Sequence, residues 1–194
     1  NHLHATLLHH ETTFFLSRSV GRPGPSPRGL RDLKAQEQGL LRQVLSHLPP
    51  RTAPPGLRRF EEIAEALGCE GAYLDKPRAT ASRETLAALT PDVILSVRYG
   101  GILDADHVRL ARHGILNLHS GALPAYRGVL ASFRAIFAGE DRLTATLHRI
   151  VDRGIDTGPI LTSATLPFDP TRPLLGQIID LYGPGCQLMA EALS

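Results

Sequence analysis

A short, continuous apolar run in the middle of the chain, Asp92-Val93-Ile94-Leu95-Ser96-Val97, constrains the fold more than any other feature. Such a run, without polar alternation, is typical of a strand that is buried on both faces of a parallel sheet. A second run of this kind, Gly114–Leu118, follows a short helical segment, Asp104–Arg112. This spacing predicts a βαβ unit, whose two strands are expected to be adjacent and central in the sheet.

The rest of the chain continues this alternation between short apolar runs and longer amphipathic segments. Further strands are predicted at Thr12–Ser17, Leu143–Val151 and Ile160–Leu166. Helices are predicted at Leu3–His10, Leu30–Leu48, Phe60–Leu67, Ser82–Leu89, Ala131–Ala138 and Leu175–Leu193, the last interrupted near Gly183-Pro184-Gly185. The predicted fold class is therefore α/β, with a Rossmann-like, mainly parallel sheet and helices on both faces.

The length of 194 residues is sufficient for a single domain, residues 1–194, with a sizeable core. Within it, residues 21–28 begin with Gly21-Arg22-Pro23-Gly24-Pro25-Ser26-Pro27, which predicts a flexible loop. A doubly wound domain normally opens with a strand and a glycine-rich turn. Here the helical Leu3–His10 comes first, so either the first strand is missing from this sequence or that assignment is wrong.

The charge and cysteine content exclude several classes of function. A net charge of +2 is too small to indicate nucleic acid or a membrane surface as a partner. No apolar run approaches the ~20 residues of a membrane helix, and no signal peptide is recognisable. Cys69 and Cys186 follow no metal-binding or redox spacing, so we expect two free thiols in a reducing compartment, the cytoplasm. A homodimer is compatible with the sequence.

Two polar residues, Asn117 and His119, mark the end of the Gly114–Leu118 strand. Ligands of open α/β sheets bind beyond the carboxyl ends of strands. Residues two apart on a strand face the same side, so these two side chains project together. An amide donor beside an imidazole suits oxyanion stabilisation and proton transfer. Taken singly, a strand-end Asn is more often a turn former and a lone His more often structural, and the pairing leaves both interpretations open.

A third polar residue, Asp156, lies in the loop Asp152-Arg153-Gly154-Ile155-Asp156-Thr157-Gly158. The glycines of this loop permit sharp backbone turns. The Asp156 carboxylate could hold a neighbouring imidazole and favour its cationic form. Alternatively, it could simply cap the turn through its own backbone.

The order and spacing of these motifs resemble the signature of a known family, the folate-dependent formyltransferases. The matching motifs are Asn-x-His at 117–119, Leu-Pro at 123–124, Tyr-Arg-Gly at 126–128 and Gly-Ile-Asp-Thr-Gly-Pro-Ile at 154–160. The family includes glycinamide ribonucleotide formyltransferase, the catalytic domain of methionyl-tRNA formyltransferase, and enzymes that formylate sugars or hydroxylamines. The resemblance covers residues 91–166 well and the final helix weakly.

The resemblance implies roles for individual residues. Asn117, His119 and Asp156 match the catalytic residues of the family. The residues that match its pterin pocket are Tyr99, Gly101, Ile102 and Leu103 on one side, and Val151, Asp152, Gly154 and Ile155 on the other. Gly101 stands where an Arg is frequent in the family, a change that backbone contacts would tolerate.

The acceptor side of the pocket departs from the family pattern. Residues expected there are Ser120, Gly121, Tyr126 and Arg127. Ser120-Gly121-Ala122 replaces the common Pro-Ser-Leu or Ala-Ser-Leu. The departure concerns the acceptor more than the chemistry.

The activity that the resemblance implies is transfer of a formyl group from 10-formyltetrahydrofolate to an amine, without a metal. Asn117 and protonated His119 would donate hydrogen bonds to the developing oxyanion, and Asp156 would keep His119 protonated. The expected acceptor is a small molecule, such as a biosynthetic intermediate, an amino sugar or an amino acid derivative. No length for an RNA-binding domain follows Leu166, and the phosphate-binding turn of glycinamide ribonucleotide formyltransferase, the alternative, is not recognisable. We therefore expect neither a nucleic acid nor a membrane partner.

Functions of other classes fit less well. Asp156-Thr157-Gly158 is also the aspartic protease triplet, but that chemistry needs two carboxylates, which only a homodimer could supply. Ser120 lacks the Gly-x-Ser-x-Gly context of a serine hydrolase. A non-catalytic folate- or nucleotide-binding relative is a further alternative. The histidines at 2, 4, 9 and 10 could bind a metal, although a His-rich helix surface is favoured.

Overall fold

The computed structural model describes residues 3–17, 28, 29, 31, 32, 35, 60–69 and 71–194. The helices described over their whole length are α1 (His4–Leu7), α2 (Phe60–Ala66), α3 (Thr80–Ala88), α4 (Ala105–Val108), α5 (Ala131–Phe137) and α6 (Leu174–Glu191). Residues 28, 29, 31, 32 and 35 are also helical. The strands are β1 (Phe14–Leu16), β2 (Gly71–Tyr73), β3 (Ile94–Val97), β4 (Ile115–His119), β5 (Arg142–Ile150) and β6 (Ile160–Pro167). The predicted loop at 21–28 and helix Leu30–Leu48 lie almost entirely outside the described residues.

The strands form a four-stranded sheet in the order β3-β4-β5-β6 and a separate parallel pair, β1 and β2. Strands β3 and β4 are parallel, whereas β5 is antiparallel to both of its neighbours. The α/β, Rossmann-like class is therefore confirmed, and the pairing of the described strands is mixed. Strand β2, Gly-Ala-Tyr, is exposed along its whole length, and it carries no apolar pattern that would have predicted it.

The predicted neighbours β3 and β4 are paired, with Ile94 opposite Ile115 and Val97 opposite Leu118. The prediction that both are central is wrong for β3, which lies at the edge of the four-stranded sheet as described. An apolar run indicates that the two faces of a strand are covered. It carries no information about whether another strand lies beside its edge.

The main core lies between one face of the sheet and α6. Its buried side chains are Leu116 and Leu118 of β4, Leu143, Ala145 and Leu147 of β5, and Leu181, Cys186 and Met189 of α6. Because alternate residues of a strand point to opposite faces, burying Leu116 and Leu118 directs Asn117 and His119 to the other face. The core thereby determines which side of the sheet carries the polar residues.

Helix α6 is continuous from Leu174 to Glu191, so the predicted interruption at Gly183-Pro184-Gly185 is wrong. Pro184 lies inside the helix, although proline ordinarily breaks or kinks one. The glycine at position 185 has a packing reason. A Cβ there would lie 3.0 Å from Leu118 Cδ2 and 3.2 Å from the Ala145 Cβ. The glycine lets the helix approach the sheet closely, and burial of Leu181 and Met189 offsets the cost of the proline.

Cys69 and Cys186 are both free, as expected. Among the helices that the structure describes, none has the length and apolar character needed to cross a membrane.

Candidate active site

The site is built on the pairing of β4 with β5. Asn117 lies opposite His148 and His119 lies opposite Thr146, so all four side chains share the face that is turned away from the main core. The ladder between β5 and β6 shifts register between Leu147 and His148. Irregularities of this kind commonly re-aim side chains beside functional sites.

His119, 9% exposed, is held by acceptors at both ring nitrogens. Nδ1 lies 3.3 Å from Asp156 Oδ2, and Nε2 lies 2.7 Å from the backbone carbonyl oxygen of Tyr126. Carbonyl and carboxylate oxygens accept hydrogen bonds, so only a doubly protonated ring donates to both. The surroundings of His119 thus suit an imidazolium ion.

Asp156 reaches the site from the loop that follows β5. Its Oδ2 accepts a hydrogen bond from Gly128 N at 2.7 Å, and its Oδ1 lies 3.3 Å from His148 Nε2. The turn itself is capped by another residue, since Asp152 Oδ1 accepts from Gly154 N at 2.6 Å. Asp156 therefore faces the strand residues across the site and does not serve as the local turn cap.

The pKa of Asp156 is lowered below its ordinary value by its neighbours. Burial of the carboxyl group acts to raise the pKa, but the hydrogen bond with His148, the charge of His119 and the hydrogen bond from Gly128 together outweigh it. The group is consequently a carboxylate throughout the neutral range, and it is able to favour a cationic imidazole beside it.

The loop that carries Asp156 is anchored on β5 at Gly158. The amide of Arg149 donates to the Pro159 carbonyl oxygen at 2.9 Å. A Cβ on Gly158 would overlap the Arg149 carbonyl oxygen, so only glycine allows the two backbone segments to come this close. Asp156, two residues earlier, has φ of +53°.

The loop after β4 is fixed by side chains from the adjoining strand and helix. Thr146 Oγ1 donates to the Gly121 carbonyl oxygen at 2.7 Å, and Ser132 Oγ donates to that of Ser120 at 2.7 Å. A Cβ on Gly121 would lie 2.7 Å from His119 Nε2 and 2.8 Å from the Tyr126 carbonyl oxygen. Gly121, one of the residues that differ from the family pattern, is thus a direct neighbour of the His119 imidazole.

The residues predicted to bind folate lie on two segments. Tyr99, Gly101 and Ile102 are half-buried, whereas Leu103 is buried and belongs to the core. The Tyr99 hydroxyl donates to the Leu74 carbonyl oxygen; burial of the ring and the charge of Asp75 raise its pKa to about 12. Val151, Asp152, Gly154 and Ile155 are all exposed.

Of the residues predicted on the acceptor side, Gly121 is buried, Ser120 and Tyr126 are half-buried and Arg127 is exposed. Gly121 and Tyr126 line a small cavity of about 120 Å³, together with Ala122, Ser132, Ala135, Glu140, Arg142, Leu143 and Thr144. The Tyr126 hydroxyl donates to Glu140 Oε1 at 2.9 Å. The cavity therefore has a carboxylate at its wall.

His148 also belongs to the site and is not predicted from the sequence; it is 1% exposed and contacts both Asn117 and Asp156. Its signal in the sequence is the alternation of polar residues, Thr144, Thr146 and His148, along the predicted strand Leu143–Val151. This pattern points to the site only once the antiparallel register is known, because that register places His148 opposite Asn117. The predicted sheet was mainly parallel and did not include this pairing.

No three His, Cys, Asp or Glu side chains among the described residues are arranged to hold a metal ion. His2 of the N-terminal histidine cluster lies outside the described residues.

A carboxylate, two imidazoles and an amide lie together on one side of the sheet in this α/β protein, a set of groups that is suited to acid–base chemistry. Residues 38–174 match the family described as formyl transferase. The match covers more than half of the chain, and this protein therefore belongs to the formyl transferase family.

The sequence relatives include methionyl-tRNA formyltransferases. The one from Aromatoleum aromaticum is 36% identical over 150 residues, covering 75% of this chain and 47% of the relative. The one from Cutibacterium acnes is 32% identical over 148 residues, covering 76% of this chain and 45% of the relative. The chain thus spans about half the length of these relatives.

The solved structures with a similar fold include enzymes whose names give acceptors other than methionyl-tRNA. The phosphoribosylglycinamide formyltransferase from Bacillus halodurans has a TM-score of 0.60 at 20% identity, covering 92% of this chain and 90% of that one. A sugar N-formyltransferase from Shewanella has a TM-score of 0.56 at 15% identity, covering 95% of this chain and 69% of that one. Identities this low establish the fold alone.

Proposed function

We propose that this protein transfers a formyl group from 10-formyltetrahydrofolate to an amine. The observation that carries the proposal is the cluster at the end of β4, in which Asp156 lies 3.3 Å from His119 Nδ1 and Asn117 projects from the same face of the strand. Membership of the formyl transferase family supports it.

Each residue has a distinct role in this proposal. The folate would supply a formyl group bonded to nitrogen. Asn117 and the His119 imidazolium would donate hydrogen bonds to the formyl oxygen, where negative charge develops as the amine attacks. To do so, His119 Nε2 must exchange its bond to the Tyr126 carbonyl oxygen for one to the ligand. Asp156 would hold His119 as a cation and accept part of its charge.

The loop beside this cluster offers apolar side chains that could cover the face of a flat heteroaromatic ring. Val151 and Ile155 are 44% and 56% exposed, so much of their apolar surface is in contact with water. Burial of the remaining exposed half of such a side chain against a ligand is favourable by roughly 1 kcal/mol. Asp152 and Gly154 in the same loop add backbone and carboxylate groups that could bond to a pterin, so we assign the folate to the surface between Tyr99–Leu103 and Val151–Asp156.

We expect Ile155→Ser to weaken binding of 5-formyltetrahydrofolate, a stable relative of the donor, by about 10-fold, because an apolar contact with the ring is lost. Isothermal titration calorimetry measures the affinity. Ile179→Ser is the matched control, since Ile179 lies on α6 and is similarly exposed at 52%. Absence of binding to the unmodified chain at millimolar ligand contradicts the folate assignment, and equal weakening in both variants contradicts the assigned surface.

We propose a small-molecule amine as the acceptor. The cavity beside Gly121 is small, about 120 Å³, and shares that glycine with the surroundings of His119. Glu140 in its wall, bonded to Tyr126, offers a carboxylate that attracts a cationic or amine-bearing ligand. An amino sugar, an amino acid derivative or glycinamide ribonucleotide all present such an amine.

A second candidate acceptor is methionyl-tRNA. The observation that favours it is the 36% identity with a methionyl-tRNA formyltransferase, which exceeds the identity with the solved structures above. This acceptor would require a nucleic-acid partner.

The experiment that tests the function is incubation of the protein with 10-formyltetrahydrofolate and a panel of acceptors, with mass spectrometry of the products. The panel contains amino sugars, amino acid derivatives, glycinamide ribonucleotide and methionyl-tRNA. A mass gain of one formyl group on a small amine supports the proposal. A gain on methionyl-tRNA alone supports the second candidate, and binding of folate without transfer to any acceptor favours a non-catalytic relative.

A single domain over residues 1–194 and a cytoplasmic location complete the proposal. The free thiols of Cys69 and Cys186 are consistent with a reducing compartment.

A further inference from the structure

The buried imidazole of His148 contacts two of the proposed catalytic groups through one atom. Its Nε2 lies 3.0 Å from Asn117 Nδ2 and 3.3 Å from Asp156 Oδ1. Asn117 belongs to β4, whereas Asp156 belongs to the loop after β5, so the two come from segments that the chain does not connect directly. His148 is therefore a physical link between them.

The orientation of this ring is fixed from its other side. Nδ1 lies 3.0 Å from the Arg149 carbonyl oxygen. That oxygen can only accept, so Nδ1 carries a hydrogen and Nε2 is the atom turned towards the site. The ring of His119 lies edge-on, with its centroid 6.4 Å away. The irregular register at Leu147 and His148 and the anchored Arg149 backbone hold the ring in this position.

The link to both groups requires a hydrogen on Nε2. With that hydrogen, the ring donates to the Asp156 carboxylate, and Asn117 can turn its oxygen towards the same N–H group. Without it, Nε2 can only accept from the Asn117 amide, and the Asp156 carboxylate has no donor at this position.

We propose that His148 is a positioning residue, which holds the Asn117 amide and the Asp156 carboxylate in register with each other through Nε2. The proposal rests on the proposed function, because it gives Asn117 and Asp156 their catalytic roles. Under this proposal, kcat depends on a hydrogen-bonding atom at the position of Nε2 and depends much less on the volume of the ring. A purely structural histidine would be equally sensitive to loss of either nitrogen.

Two substitutions separate the nitrogens. The amide of glutamine reaches the position of Nε2, whereas the shorter asparagine reaches only that of Nδ1. We expect His148→Asn to lower kcat by roughly 10- to 100-fold with little change in either KM, because misplaced groups cost rate more than binding. His148→Gln should stay within about 5-fold of the unmodified protein, since its amide restores the contact. His113→Asn, at an exposed histidine, is the matched control and should leave kcat unchanged.

A second measurement does not depend on activity. The side-chain amide resonance of Asn117 in a 15N-labelled full-length protein reports its hydrogen bonding, and the 15N shifts of the His148 ring report bonding at Nε2. We expect the Asn117 resonance to move in His148→Asn and to stay close to its original position in His148→Gln. The ring shifts of the unmodified protein should indicate a hydrogen-bonded Nε2.

The outcomes are distinguishable from failure of the proposed function. If the unmodified protein transfers no formyl group, the function fails, and the resonances still test the link. Equal kcat losses in the two variants, or an unmoved Asn117 resonance in His148→Asn, overturn the positioning role. If both variants unfold, a ring spectrum of the unmodified protein without a hydrogen bond at Nε2 overturns it as well.

Discussion

Replacing Asp156 by asparagine is expected to lower the turnover of formyl transfer by roughly 100-fold or more while leaving folate affinity nearly unchanged. The carboxylate lies 3.3 Å from His119 Nδ1 and from His148 Nε2. Asparagine keeps the shape but removes the negative charge that favours the His119 imidazolium. The loss is therefore expected in kcat, because the interaction is made mainly in the transition state.

His119→Ala should cause a similar loss, and the double variant Asp156→Asn/His119→Ala should lose much less than the product of the two. Residues that act as one unit are not additive, since removal of either partner already abolishes the joint effect. Steady-state kinetics of the four proteins with the acceptor identified by mass spectrometry completes the cycle.

Asp180→Asn is the matched control for this cycle. Asp180 is an exposed carboxylate on α6, where it pairs with Arg172 at 2.6 Å, and it belongs to no part of the proposed site. Its substitution should leave kcat within about 3-fold of the unmodified protein. A full rate in Asp156→Asn or His119→Ala, or losses that multiply, would show that the catalytic residues are wrongly assigned.

The second large effect is expected from a single methyl group. In Gly158→Ala the new Cβ overlaps the carbonyl oxygen of Arg149, which is backbone and cannot rotate away. The loop must therefore shift, and the bond from Arg149 N to the Pro159 carbonyl oxygen is strained or lost. A displacement of about 1 Å at Asp156 is enough to lower kcat by the order of 100-fold.

The same substitution should also lower the free energy of unfolding, by about 1–3 kcal/mol, as overpacking generally does. Thermal denaturation followed by circular dichroism measures this, and steady-state kinetics measures the activity. Gly176→Ala in α6 is the control, because a Cβ there meets no atom within 4 Å. If Gly158→Ala is as active and as stable as Gly176→Ala, the loop is not anchored as the structure indicates.

The short motifs are informative in the sequence alone, because they depend only on the local geometry of the chain. Asn117 and His119 are two apart at the end of an apolar run, and the pleat of a strand alone puts them on one side. The two free cysteines and most element positions follow from composition and periodicity in the same way. Helix α6 shows the limit of that approach, since Pro184 predicted a break that packing of Gly185 against Leu118 and Ala145 overrides.

Which side chains contact one another in the site depends on the tertiary structure. His148 faces Asn117 only because β5 runs antiparallel to β4, and an apolar pattern specifies which faces of a strand are buried but not its direction. Asp156 reaches His119 only because Gly158 lets its loop cross the Arg149 backbone. Residue types and their local spacing, from which an acid–base site can be made, are readable in the sequence alone. The long-range register determined which groups touch, because hydrogen bonds act over about 3 Å and the contacting residues lie 31 and 37 positions apart.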